Sequence, residues 1–144
     1  MSDLEKQDLK NKKVIVRVDL NVPLDDNDNV TDTTRIVACK ETVDLILEKG
    51  GTCILISHLG RPKGKENKFS LKKIVDTVSS VLNHPVFFYE DCIGQGAKEA
   101  ISKLDQGSII LMENLRFYKE ETLGDRVFAK NLSELGDIYV NDAF

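Results

Sequence analysis

Thr52-Cys53-Ile54-Leu55-Ile56-Ser57 is almost wholly apolar and comes directly after a Gly50-Gly51 pair. A strand with one wet face alternates apolar and polar side chains. One covered on both faces does not, and such strands belong to parallel sheets sandwiched between helices. Working back toward the N-terminus, the glycine pair stops a helix predicted over about residues 34–49, with Ile36, Cys39, Val43 and Ile46 on one face. Further back, Lys13-Val14-Ile15-Val16-Arg17-Val18 is a β-branched run closed by Asp19-Leu20-Asn21-Val22-Pro23, a second strand signal. Between the two, Asp25-Asp26-Asn27-Asp28-Asn29 reads as a solvated turn.

The same alternation continues downstream. The loop over residues 58–68, rich in Gly, Pro and Lys, leads to Ser70 as a predicted N-cap. The helix after it carries Leu71, Ile74, Val75, Val78 and Leu82 at helical spacing. Val86-Phe87-Phe88-Tyr89 is a short third strand, succeeded by a small helix over about 95–104. A fourth strand covers 108–112, a helix about 125–135, with Phe128, Leu132 and Leu135 apolar, and a last strand is Ile138-Tyr139-Val140. Five strands alternating with four helices predict an α/β fold: an open parallel sheet, Rossmann-like and three-layered (α/β/α), built of βα units with right-handed crossovers. A sheet of this kind ordinarily runs on into another helix. With Phe144 only four residues past Val140, the domain is expected to be incomplete at its C-terminus.

The chain has 144 residues and a formal net charge of −4, a length that suits a single domain. With 41% hydrophobic and 31% charged residues it can bury a core, which excludes a disordered chain. No apolar run approaches the roughly 20 residues that span a bilayer, so no membrane role is expected. The charged start, Met1 to Asp8, lacks the apolar segment of a signal peptide. Cys39, Cys53 and Cys92 are odd in number and form no Cys-x-x-Cys pair. They read as reduced thiols of a cytoplasmic protein, with no metal site expected. The sequons at Asn29 and Asn131 are then chance matches. An acidic balance also argues against nucleic acid as a partner.

In an open α/β sheet ligands bind beyond the carboxyl ends of the strands. Past the successive strand ends of this chain lie Asp19 and Asn21, then His58 and Arg61, then Glu90 and Asp91, then Glu113, Asn114 and Arg116, and finally Asn141 and Asp142. Arg35 opens the helix after the first strand and joins the same rim. Only five residues are arginine against 15 lysines, and three of the five fall on this edge. A guanidinium fork grips carboxylate or phosphate with two parallel hydrogen bonds. Three forks plus His58, beside Asp19 and Asn21, suit a small and highly anionic ligand bearing a hydroxyl. The plainer readings are surface ion pairs for the arginines, an Asx turn for Asp19 and Asn21, a strand cap for His58, and a structural partner for Arg17. Glu90, Asp91 and Asp142 read as solvated or capping rather than as metal ligands.

Three motifs fall short. The loop Gly60-Arg61-Pro62-Lys63-Gly64-Lys65-Glu66 has Leu59 and Glu66 where a Walker A loop needs Gly and Ser or Thr. Gly94-Gln95-Gly96-Ala97-Lys98-Glu99 lacks the third glycine of a dinucleotide fingerprint. The acidic run from Asp25 has Val30 and Ile36 where a calcium loop needs Gly and Glu.

The segment from Lys13 to Pro23 resembles the signature of the phosphoglycerate kinase family over its full length. Ser57-His58-Leu59-Gly60-Arg61-Pro62, Glu113-Asn114-Leu115-Arg116-Phe117 and Tyr139-Val140-Asn141-Asp142-Ala143-Phe144 resemble three further family stretches, in the family's order. The resemblance implies a transferase that moves a phosphoryl group between ATP and 3-phosphoglycerate, giving 1,3-bisphosphoglycerate and ADP in glycolysis, as a cytoplasmic monomer. It implies that residues 1–144 are a truncated N-terminal, phosphoglycerate-binding domain, with the C-terminal nucleotide-binding domain absent. Asp19, Leu20 and Asn21 would then bind the substrate's hydroxyl and carboxylate end. Arg35 would be catalytic as well as substrate-binding, nearest the transferring group. His58, Arg61 and Arg116 would bind the glycerate and its 3-phosphate, and Leu59 and Gly60 would shape the loop. Arg17 would belong to the same patch without necessarily touching ligand. Mg2+ with ATP or ADP would be held by the absent domain, and the segment alone would transfer nothing. A signalling receiver domain and a non-catalytic anion-binding module remain the alternatives. The first lacks its paired acids after strand one and its lysine after strand five.

Overall fold

A computed structural model of the chain describes residues 6–142 apart from 63 and 65. Residues 1–5, Lys63, Lys65, Ala143 and Phe144 lie outside the described residues. Five strands form one sheet in the order β3-β4-β2-β1-β5: β1 Lys13–Arg17, β2 Thr52–Ile56, β3 Val86–Tyr89, β4 Ile109–Met112 and β5 Ile138–Asn141. Every pairing is parallel, with Ile15 opposite Ile54 on one side and Tyr139 on the other, and Ile54 also opposite Ile110. The helices are α1 Thr34–Glu48, α2 Val75–Leu82, α3 Gln95–Ser102, α4 Lys119–Thr122 and α5 Arg126–Ser133.

The apolar run at Thr52–Ile56 is the most enclosed strand. All five residues of β2 are buried, because β1 and β4 flank it and helices cover both faces. Alternate residues then feed separate cores. Val14, Val16, Cys53, Leu55, Ile109 and Leu111 pack with Ile36, Cys39, Val43 and Ile46 of α1 and with Val78 and Leu82 of α2. Ile15, Ile54, Ile56, Ile110 and Met112 pack with Ala97 and Ile101 of α3 and with Phe128 and Leu132 of α5. The chain moves from β1 toward the β3 edge through α1 and α2, then returns to β5 through α3 and α5. Right-handed crossovers in opposite directions put their helices on opposite faces, which yields the open three-layer α/β/α sheet expected from the sequence.

Two elements differ from their sequence-based expectation. The helix expected from Leu71 begins as a 3₁₀ turn, Leu71–Ile74, and becomes α-helical only at Val75. Ser70 caps it by accepting from the Lys72 N–H, while Glu113, far away in sequence, takes the Leu71 N–H and the Ser70 hydroxyl. That tether tightens the first turn. Helix α4 was not expected at all, because four residues are too few to show a period. Between β1 and α1, Leu24 bridges Val30 around a turn in which Asp25 accepts from the Asn27 and Asn29 N–H groups. The acidic run is therefore a turn, and those bonds hold the Asp25 carboxyl below its ordinary range. All three cysteines are buried and free; burial is the main cause that pushes the thiols of Cys39 and Cys53 up to about 12. Among the described residues no helix is long and apolar enough to cross a membrane.

Ile54 is fully buried at the centre of the sheet. Ile54→Ala should therefore cost about 2–5 kcal/mol, the range for truncating a large aliphatic side chain in a core. Urea unfolding should show this as a lower midpoint at unchanged slope, and a loss under about 1 kcal/mol would place Ile54 outside the core.

Candidate functional site

The loops after β2 and β4 leave toward opposite faces, α2 on one side and α4 and α5 on the other. The carboxyl edge therefore opens into a crevice between these neighbouring strands, where α/β sheets bind ligands. Asn114, fully buried, fills the base of that crevice. Its amide donates to the Leu59 carbonyl at 2.8 Å and the Phe69 carbonyl at 2.9 Å, and its oxygen accepts from the Arg116 N–H at 3.0 Å. The neighbouring Glu113 is also buried and accepts from Leu71, Asn114 and Ser70. The Leu115 N–H donates to the Ser57 carbonyl at 3.0 Å, so the two strand ends are stitched directly.

The loop after β1 is held against the same place. The Ser57 hydroxyl accepts from the Leu20 N–H at 2.9 Å, and Asn21 Oδ1 accepts from the Gly60 N–H at 2.8 Å. Gly60 has φ +64°, and a Cβ there would lie 2.5 Å from the Phe69 ring, so the position requires glycine twice over. Asp19 makes the expected Asx turn, accepting from the Asn21 N–H at 3.0 Å, and also accepts from Arg35 Nη1 at 3.2 Å. The same nitrogen donates to the Asn21 carbonyl. Asp19, Asn21, Arg35 and Gly60 thus form one hydrogen-bonded chain, and Arg35 keeps about half its side chain in solvent.

Arg61 is exposed and Arg116 half-buried. Both line an open groove of about 930 Å³ shared with Pro62, Gly64, Phe117, Tyr118, Lys119, Glu120 and Leu123. Asp19, Asn21, Arg35 and His58 lie outside that lining. His58 is electrostatically coupled to Arg116, Asp19 and Arg17. Burial first, then the Arg116 cation, pulls its pKa below the usual 6.5, against the attraction of Asp19. Leu20 and Leu59 are buried with the core. Only their backbones face the rim, and the Leu20 N–H and Leu59 carbonyl are already bonded. Arg17 forms an ion pair with Glu121. Asp91 is neither solvated nor a helix cap: it accepts from the Tyr118 hydroxyl at 2.7 Å and from the Cys92 N–H. Among the described residues no group of three or more His, Cys, Asp or Glu is arranged to hold a metal ion. Ser57, Phe69 and Glu121 carry no local sequence signal of a role at the rim; for Glu121 the one available hint was that a strand arginine needs a counter-charge.

The family model for phosphoglycerate kinase matches residues 3–144. The chain belongs to the phosphoglycerate kinase family. It is 51% identical over 144 residues to the chloroplastic phosphoglycerate kinase 2 of Arabidopsis thaliana, covering 100% of this chain and 30% of that protein. It is 52% identical to the cytosolic phosphoglycerate kinase of Triticum aestivum, over 98% of this chain and 35% of that one. Among solved structures, the phosphoglycerate kinase of Coxiella burnetii superposes with a TM-score of 0.82 at 35% identity, over 96% of this chain and 34% of that one. That of Pyrococcus horikoshii gives 0.85 at 31%, over 97% and 36%. The chain thus spans about a third of the length of these phosphoglycerate kinases.

The depressed pKa of His58 has a definite sign. The unfolded histidine holds its proton up to about pH 6.5 and the folded one releases it earlier. Its contribution to stability is therefore complete above about pH 6.5 and is lost as pH falls through the folded value. Proton NMR should place the His58 midpoint below 6.5, and His58→Gln should remove that part of the acid destabilisation. A midpoint above 6.5 would contradict the assigned environment.

Proposed function

We propose that residues 1–144 are the phosphoglycerate-binding, N-terminal part of a phosphoglycerate kinase. The reading rests chiefly on three of five arginines gathering with His58 at the carboxyl edge of the sheet, in a chain of this family. 3-Phosphoglycerate carries a phosphate, a carboxylate and a hydroxyl. Arg61, Arg116 and His58 bind the glycerate and its 3-phosphate through charge-assisted hydrogen bonds. Asp19 and Asn21, with the Leu20 backbone between them, take the hydroxyl and carboxylate end; Leu59 and Gly60 set the shape of the loop. Arg35, tethered by Asp19 and the Asn21 carbonyl, stands nearest the transferring group.

In the forward transfer a carboxylate oxygen of 3-phosphoglycerate attacks the γ-phosphorus of ATP. The bond to the bridging oxygen breaks, and ADP leaves with the electron pair. Such a step asks little covalent chemistry of the protein and mainly needs alignment and charge neutralisation, which a fixed guanidinium at Arg35 supplies. Arginine and amide donors do not suit Mg2+, so the metal with ATP or ADP belongs to the length that the relatives have beyond this segment. Closure of that part over the rim brings the reactants together and excludes water. The proposed setting is glycolysis in the cytoplasm, as a monomer, with neither nucleic acid nor membrane as partner.

Two outcomes are expected. The 144-residue chain, free of contaminating kinase, should show no turnover with MgATP and 3-phosphoglycerate in a coupled assay; measurable turnover would contradict the division of labour. Charge-assisted hydrogen bonds are worth roughly 1.5–3 kcal/mol. In a full-length protein carrying this segment, Arg61→Ala should therefore weaken 3-phosphoglycerate binding at least several-fold by calorimetry. An unchanged dissociation constant would remove Arg61 from the site.

A further inference from the structure

Glu121 sits on the four-residue helix α4 with its side chain only 10% exposed, and its two carboxylate oxygens face two different arginines. One accepts from Arg17 Nη2. The other lies 4.0 Å from Arg116 Nε, close enough for an ion pair and too far for a hydrogen bond. Arg116 Nε is itself buried without a hydrogen-bond partner, while the remainder of that side chain, 33% exposed, lines the groove beside Arg61. Arg17 comes from β1 and Arg116 from the loop after β4, so Glu121 is a counter-charge shared by two elements that do not pair with each other.

We propose that Glu121 is a positioning residue for the anion-binding rim: it anchors Arg17 and draws Arg116 into a fixed orientation, so that an incoming anion meets a guanidinium already aimed. This rests on the reading of the rim as a phosphoglycerate site. Burial works against the charge of Arg17, and the Glu121 hydrogen bond and Coulomb attraction, with Tyr139 contributing, outweigh it, so Arg17 keeps its charge. The sign of the effect separates positioning from mere proximity. A bystander carboxylate repels an anion, so removing it would tighten binding. Removing a positioning carboxylate weakens binding despite the lost repulsion, because the arginines must be ordered at the moment of capture.

The test uses a full-length protein carrying this segment, with Glu121→Ala and Glu121→Gln at fixed ionic strength, titrated calorimetrically with 3-phosphoglycerate and separately with inorganic phosphate. Nitrogen-15 NMR of the Arg17 guanidinium and the Arg116 Nε–H is recorded without ligand, and circular dichroism checks folding. Glu121→Ala should weaken both anions by about fivefold or more, the loss of roughly one ordered charged contact. It should also abolish the solvent protection of the Arg17 and Arg116 signals. Glu121→Gln keeps an acceptor for Arg17 and loses the charge that draws Arg116, so it should retain protection at Arg17, lose it at Arg116 and recover only part of the affinity. Unchanged or tighter binding in Glu121→Ala, or protected signals that persist there, would overturn the proposal. Should Glu121→Ala fail to fold, Glu121→Gln decides: weakened binding with a protected Arg17 signal supports positioning, and unchanged or tighter binding refutes it. Should the parent bind 3-phosphoglycerate no better than phosphate, the substrate reading fails, and the guanidinium signals still decide the role of Glu121.

Discussion

Asn114 is fully buried where β2 and β4, neighbours in the sheet, send their loops to opposite faces, and a carboxamide there is cut off from solvent. Its two N–H donors and its oxygen are all used, on Leu59, Phe69 and Arg116. A buried amide left unpaired costs a few kcal/mol, so the three loops are obliged to meet it. Through Leu59 it fixes the backbone that leads to Gly60 and Arg61. Through Phe69 it holds the ring against which Gly60 is packed, and through Arg116 it begins the 3₁₀ turn that carries that side chain to the groove. Three of the residues assigned to the rim thus take their places from one side chain that no ligand would touch.

The charge arrangement obeys the same constraint. A chain of net charge −4 places Arg35, Arg61 and Arg116 past the carboxyl ends of its strands, and acids tether Arg35 and Arg116 there. Asp19 holds Arg35, and Glu121 holds Arg17 and faces Arg116. An arginine anchored by an acid loses less conformational freedom on capture than a free one, while the partly exposed groups of Arg35 and Arg116 still offer donors to solvent.

The central strands were legible because burial on both faces leaves an unmistakable apolar run, as in Ile54 and its neighbours, and the outer ones, β3 and β5, from their β-branched and aromatic residues. The main helices were legible from the spacing of Ile36, Cys39, Val43 and Ile46. The first turn of the helix after Ser70 was not, because its tightening comes from Glu113, 43 residues away from Ser70. The rim residues could be assembled from the rule that ligands gather past the carboxyl ends of strands, and the family resemblance then assigned each a task. The counter-charges could not: Glu121 lies 104 residues from Arg17, and nothing local marks an acid on a four-residue helix as its partner. Local periodicity reports which face is buried, whereas pairing across the fold depends on topology.

The place of β5 has a kinetic meaning. Among the described residues it pairs with β1, and it meets that strand across 124 residues of chain, as the Lys13 N–H to Asp137 bond illustrates. Its side chains are half-buried or exposed, in contrast to the enclosed β2. Contacts so far apart in sequence form only after the intervening chain has been gathered in, so the β1–β5 pairing raises the contact order and slows folding.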